Sequence, residues 1–164
     1  MRKRGKPRRA TPLGGNLHLL HRRMEEQRKR EALTRELDTD EQTRLIVPAR
    51  TSCELLQTGA AQIDDLHNIT AFLNVGLVLA NDTGEEEARE FIQAAILDII
   101  AVKDRGGPRY GLNAEQRERI PPAVALVDEL FCCTTLLEIA TAHRKVVAAL
   151  PMTGELKPVE VEIV

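Results

Sequence analysis

A few groups of residues in this 164-residue chain are of types that could do chemistry. His18, His21 and Glu25 fall at i, i+3 and i+7, one face of a helix, where a metal ion could be imagined. Two imidazoles and a carboxylate on an exposed basic segment, with no matching cluster elsewhere, fall short of a zinc-like site. They read as a solvated helix face, and no metal ligand is assigned. Cys132 and Cys133 are adjacent, a spacing that cannot aim two thiolates at one metal from one helix, and they are expected to be buried as small hydrophobes. With Cys53 the cysteines number three, which is not a disulfide framework and fits a reducing cytoplasm. Asp64-Asp65 and Glu85, Glu86 and Glu87 stand where helix N-termini favour negative charge, so they need no catalytic role. The GGPRYG segment at 106–111 lacks the strand and the Lys-Ser/Thr of a phosphate-binding loop. No Gly-x-Ser-x-Gly or Cys-x-x-Cys occurs. No catalytic set and no cofactor is expected, and the chain does not read as an enzyme.

Charge is the stronger signal. The net value of −2 conceals a split: residues 1–30 hold eleven Lys or Arg and two Glu, or +9, and the remainder carries −11. A basic arm on an acidic body is a layout found in proteins that touch nucleic acid or an acidic partner. The candidate phosphate contacts are Arg2, Lys3, Arg4, Lys6, Arg8 and Arg9, followed by Arg22, Arg23, Arg28, Lys29 and Arg30. Only four aromatics are present, which argues against platforms that stack unpaired bases. Binding would run through phosphates, giving affinity rather than sequence readout.

The elements that must carry these groups are helical. Residues 1–16 have no apolar period and read as a flexible basic arm; 17–150 form one helical domain; 151–164 form a C-terminal tail. The expected fold is all-α, a bundle of five to seven helices around a central apolar helix over 63–80. In that helix Leu66, Ile69, Leu73, Leu77 and Ala80 share one face, and Phe72, Val75 and Leu79 make the other side apolar as well. The run is too short and too polar, with His67, Asn68 and Asn74, to span a membrane. Its acidic start also disqualifies it as the reading helix of a helix–turn–helix over 51–72. Asn74 should be buried, with His67 and Thr70 along the same edge, and its amide then needs partners, from a neighbouring helix or loop or, as the alternative, from a small ligand in a pocket.

Before the central helix, a first helix is expected over 17 to about 37, with Leu17, Leu20, Met24, Leu33 and Leu37 as a thin apolar seam. Thr39 with Gln42 suggests a capping box for a short helix ending or kinking at Pro48. Thr51 with Glu54 suggests a cap for another, closed by Gly59. After it, residues 81–84 (NDTG) break the chain, and Ala88, Phe91, Ile92, Ala95, Ile96 and Ile99 mark an amphipathic helix. Asn113 with Gln116 caps the next, in which Pro121-Pro122 either kinks the helix or starts a new one. A helical stretch from 124 to 150 divides at Thr134-Thr135, where Thr135 and Glu138 form a capping box. The closing VEVEIV alternates like a strand without a visible partner, and reads as frayed or as a strand added to a partner's sheet.

The basic start MRKRGKPRR, the ALTREL segment at 32–37 and TGAAQIDDLHNITAFLNVGLVLA around Asn74 resemble a family of short, uncharacterised proteins borne by phages and prophages of proteobacteria. A weaker similarity continues through Arg105, RYGL at 109–112 and the Asp128-Glu129-Leu130 helix. The resemblance implies a phage setting and a non-enzymatic, regulatory task; it carries no functional residues. The expected function is therefore regulation at nucleic acid or on a nucleic-acid machine such as host RNA polymerase, in the manner of an antitermination factor. The alternative is a protein-binding inhibitor or adaptor aimed at a host protein. No membrane partner is expected, and homo-oligomerisation is left open.

Overall fold

The computed structural model describes residues 14–150 and 156–160, and within the first helix the side chains of residue 22 and of 24–33. The chain divides into two compact units, Met1–Thr34 and Arg35–Val164. The described residues form six helices and no strand, an all-α architecture.

The first unit contains α1 (Gly14–Leu33). It starts three residues earlier than the sequence suggests and stops four residues sooner, since Leu37 belongs to the second unit and packs against its core. The described side chains of α1 are nearly all exposed, Met24 included. Its described support is local: Arg22 pairs with Glu26 at 3.2 Å and Gln27 donates to Glu31 at 2.9 Å, both one turn apart.

The second unit is a bundle built on α3 (Ile63–Thr83), with α2 (Thr39–Thr58), α4 (Glu86–Asp104), α5 (Ala114–Cys132) and α6 (Leu136–Ala149) packed against it. From Phe72 to Asn81 every residue of α3 is buried. This is what all-round apolarity predicts for a helix covered on several sides. Gly76 sets the approach of α5: a Cβ there would lie 2.2 Å from a methyl of Val127. The helix extends beyond the expected break, through Asn81, Asp82 and Thr83, and ends at Gly84 in the left-handed region with φ 75°. Thr83 returns its hydroxyl to the Leu79 carbonyl at 3.0 Å, so the polar NDT triplet continues the last turn.

α2 corrects two expectations. Its cap is Asp38 with Glu41, not Thr39 with Gln42: Asp38 accepts from the Glu41 N–H at 2.9 Å, and Glu41 accepts from the Asp38 N–H at 3.2 Å. Nor do two short helices meet at Pro48. One helix runs through it, and Thr51 is interior rather than a cap. An internal proline costs about 3 kcal/mol. Burial of Ile46, Ala49, Cys53 and Leu56 on both sides of Pro48 opposes that cost. Gly59 ends the helix as expected, at φ 75°, and the Ala60 N–H reaches back to Leu55 at 2.8 Å.

The same logic applies to α5, which passes through Pro121-Pro122 without starting a new helix because Ile120, Ala123, Val124 and Val127 are all buried there. The caps Asn113–Gln116 and Thr135–Glu138 form as the sequence indicates, and the latter separates α5 from α6.

Of VEVEIV, expected to fray or to add a strand to a partner's sheet, only Val159 and Glu160 fall among the described residues. Leu156 and Val159 are buried in the core, and no strand forms over 156–160. Asn74, fully buried, donates to the Lys157 carbonyl at 3.0 Å and accepts from the Val159 N–H at 2.7 Å. The amide thus pairs two backbone groups of the tail and ties 157–159 to the bundle. Residues 161–164 lie outside the described residues.

Candidate functional site

The sequence-derived phosphate contacts fall into two sets. Arg2, Lys3, Arg4, Lys6, Arg8 and Arg9 lie outside the described residues, as does the side chain of Arg23. Arg22, Arg28, Lys29 and Arg30 are exposed on α1. Arg22 is paired with Glu26; Arg28, Lys29 and Arg30 take no ion pair among the described residues. Successive residues of a helix are rotated by about 100°, so these three cations spread around the rod instead of forming one aimed cluster. Such a helix can meet phosphates from several directions and has no built geometry for base edges.

The histidine side chains at 18 and 21 are likewise outside the described set. Among the described residues no group of three or more His, Cys, Asp or Glu is placed to hold a metal ion. No helix among them is long and apolar enough to cross a membrane. Cys132 and Cys133 are exposed, against the expectation of burial. Cys132 is the last residue of α5 and Cys133 its C-cap, beyond Phe131, where the buried stripe stops. Cys53 on α2 is the buried cysteine, and burial pushes its thiol pKa up.

Two polar clusters in the second unit were not foreseen. Asp128, largely buried on α5, forms an ion pair with Arg50 of α2 and accepts from Gln42 at 3.3 Å. It ties α2 to α5 beside Cys132. Arg35 clasps both oxygens of Glu41, at 2.8 and 2.5 Å. That bond holds the Glu41 carboxyl below the usual glutamate range and raises Arg35. Thr135 does the same for Glu138 through its hydroxyl and its N–H. These carboxylates staple helix starts and are accounted for structurally. The buried Thr70 hydroxyl has no hydrogen-bond partner among the described residues.

An apolar concavity lies between α2 and α6, on the face of α3 that presents Asn68, Ala71, Phe72 and Val75. It encloses about 570 Å³. Its floor includes Phe72 and Phe131, whose rings lie 5.2 Å apart and tilted by 56°. Leu45, Pro48 and Ala49 form the α2 wall; Leu136, Ile139 and Ala140 form the α6 wall, which continues into His143 and Arg144. The segments leading into the two walls are tied by the Leu136 N–H to the Arg35 carbonyl at 3.4 Å. A depression of similar size, 600 Å³, lies at the start of α4 but is lined by Glu85, Glu86 and Glu87. Those residues already complement the helix N-terminus.

Sequence reasoning missed the groove. Its signal was present in α6, where Leu136, Ala140, His143 and Val147 follow one face at helical spacing, yet Val147 is 57% exposed. Which apolar face stays uncovered depends on how α2 and α6 seat on α3, and no local pattern encodes that. No family model, curated protein or solved structure matches this chain.

Proposed function

We propose that this chain is a non-enzymatic regulatory protein that acts at nucleic acid or on a nucleic-acid machine, holding phosphates through its N-terminal basic segment. The observation that supports this reading is the exposed Arg28-Lys29-Arg30 run, without an ion pair among the described residues, on a helix whose described side chains are nearly all exposed. It belongs to a segment of charge +9 on a chain whose remainder carries −11. Exposed cations with no carboxylate to release can trade their hydration and counterions for phosphate contacts, giving sequence-independent affinity. The resemblance to phage-borne proteins supports a phage setting, and an antitermination-like factor docking on RNA polymerase is its concrete form.

The test is truncation. Removing residues 1–9 takes away six of the eleven cations in the first thirty residues. The truncated protein should lose duplex DNA and RNA binding at low salt while its thermal unfolding is unchanged. Affinity equal to that of the full chain would overturn the reading. Retention of one protein from nuclease-treated host lysate, by the full and truncated chains alike, would favour an inhibitor or adaptor instead.

A further inference from the structure

We propose that the groove between α2 and α6 binds a small amphiphile with one anionic head, a free carboxylate on an alkyl chain being the simplest member of the class. The polarity of the lining supports this. Leu136 and Ile139, with Phe131 beneath, make one end of the α6 wall apolar; one turn farther on, the same face carries His143 and Arg144. From Leu136 to Arg144 is about 12 Å of helix at 1.5 Å per residue. The volume of 570 Å³ equals about nineteen water volumes of 30 Å³ each. A chain of ten or more carbons with its carboxylate fits both measures.

Arg144 is the decisive residue. Its neighbour Lys145 is ion-paired with Asp82 at 2.7 Å. Arg144 makes only a 3.3 Å contact to the Thr141 hydroxyl and has no carboxylate partner among the described residues, in a unit rich in carboxylates. A guanidinium at the mouth of an apolar groove recognises a planar anion such as carboxylate, and an otherwise apolar pocket with few convergent polar groups is the usual form of a small-molecule site. A helix from a protein partner fits less well. A stable interface needs about 800 Å² per side, whereas Asn68 on α3 and His143-Arg144 on α6 interrupt the apolar surface within about two turns, ahead of the exposed Val147.

The experiment is titration of the full chain with dodecanoate below its micellar concentration, followed by calorimetry, with dodecyltrimethylammonium as the head-group control. One saturable site is expected, with the cationic amphiphile at least about tenfold weaker and Arg144→Gln weakening dodecanoate about tenfold, the size of one charge-assisted hydrogen bond. Ala71→Trp, placed on an exposed groove position, should abolish binding; Ala140→Trp repeats the block from the other wall should the first variant unfold. Non-saturable uptake, equal binding of the two amphiphiles, or dodecanoate binding that survives both tryptophans would overturn the proposal. Residues 1–34 are untouched in every variant, so the outcome is independent of the nucleic-acid reading.

Discussion

α1 and α3 are helices of nearly equal length, 20 and 21 residues, and their described side chains differ sharply in burial. α3 is buried over ten consecutive residues and has four helices packed on it; α1 exposes almost every described side chain. One-turn pairs such as Arg22–Glu26 contribute about 0.2–0.5 kcal/mol each, whereas burying a single leucine contributes about 1.5–3 kcal/mol. The difference teaches where change is tolerated. Charge on α1 can vary with little effect on folding, while almost any alteration of α3 is registered by a neighbouring helix.

The largest break in that contrast comes from the fully buried Leu73. Leu73→Ala should cost about 2–5 kcal/mol, read from the urea midpoint; a loss under about 1 kcal/mol, below that range, would mean that α3 is less enclosed than its burial indicates. Asn74→Leu follows at about 2–4 kcal/mol, because it leaves the buried Val159 N–H and the partly buried Lys157 carbonyl without their partner. Loss of polyanion binding by that variant at unchanged melting would give Asn74 a role beyond structure. Gly76→Ala should cost about 1–3 kcal/mol by forcing a methyl onto Val127, and adding Val127→Ala should recover much of it.

Against these stands the combined change of Arg28, Lys29 and Arg30 to glutamine. Stability should move by no more than about 0.5 kcal/mol, while the slope of log affinity against log salt should fall by about one for each phosphate that is no longer neutralised. A large drop in melting temperature would show that α1 does more for the fold than its exposure suggests. The smallest effect expected is one of pH. Glu41 and Glu138 have lowered folded pKa values, so their stabilisation is complete above the ordinary glutamate value of about 4.3 and is lost as pH falls through the lowered values. Amide protection, measured against the intrinsic exchange rate at each pH, should therefore fall in acid at the starts of α2 and α6, and Glu138→Gln should flatten that dependence for α6 alone.

Much of the bundle was legible because its signals are local. The stripes of α3 and α4, the Asn113–Gln116 and Thr135–Glu138 boxes and the glycine end of α2 each depend on residues within a turn or two. The errors fell where two local signals competed. Asp38–Glu41 and Thr39–Gln42 are equally good capping patterns one residue apart, and Arg35 reaching Glu41 favours the former. Pro48 and Pro121-Pro122 break helices by local rule, yet buried faces on both sides carry α2 and α5 through them. Cys132 and Cys133 looked apolar but occupy a helix end past the buried stripe.

By itself, the sequence determined an all-α chain with a central helix, a polarised charge layout and a buried Asn74, because periodicity, composition and the cost of an unpaired amide act at short range. Only the tertiary structure decided that Asn74 clasps the tail, that Arg50 meets Asp128, and that α2 and α6 leave an apolar groove ending at Arg144. The first of them joins residues 85 positions apart. Their geometry follows from how whole helices seat against one another, which no single stretch of chain encodes.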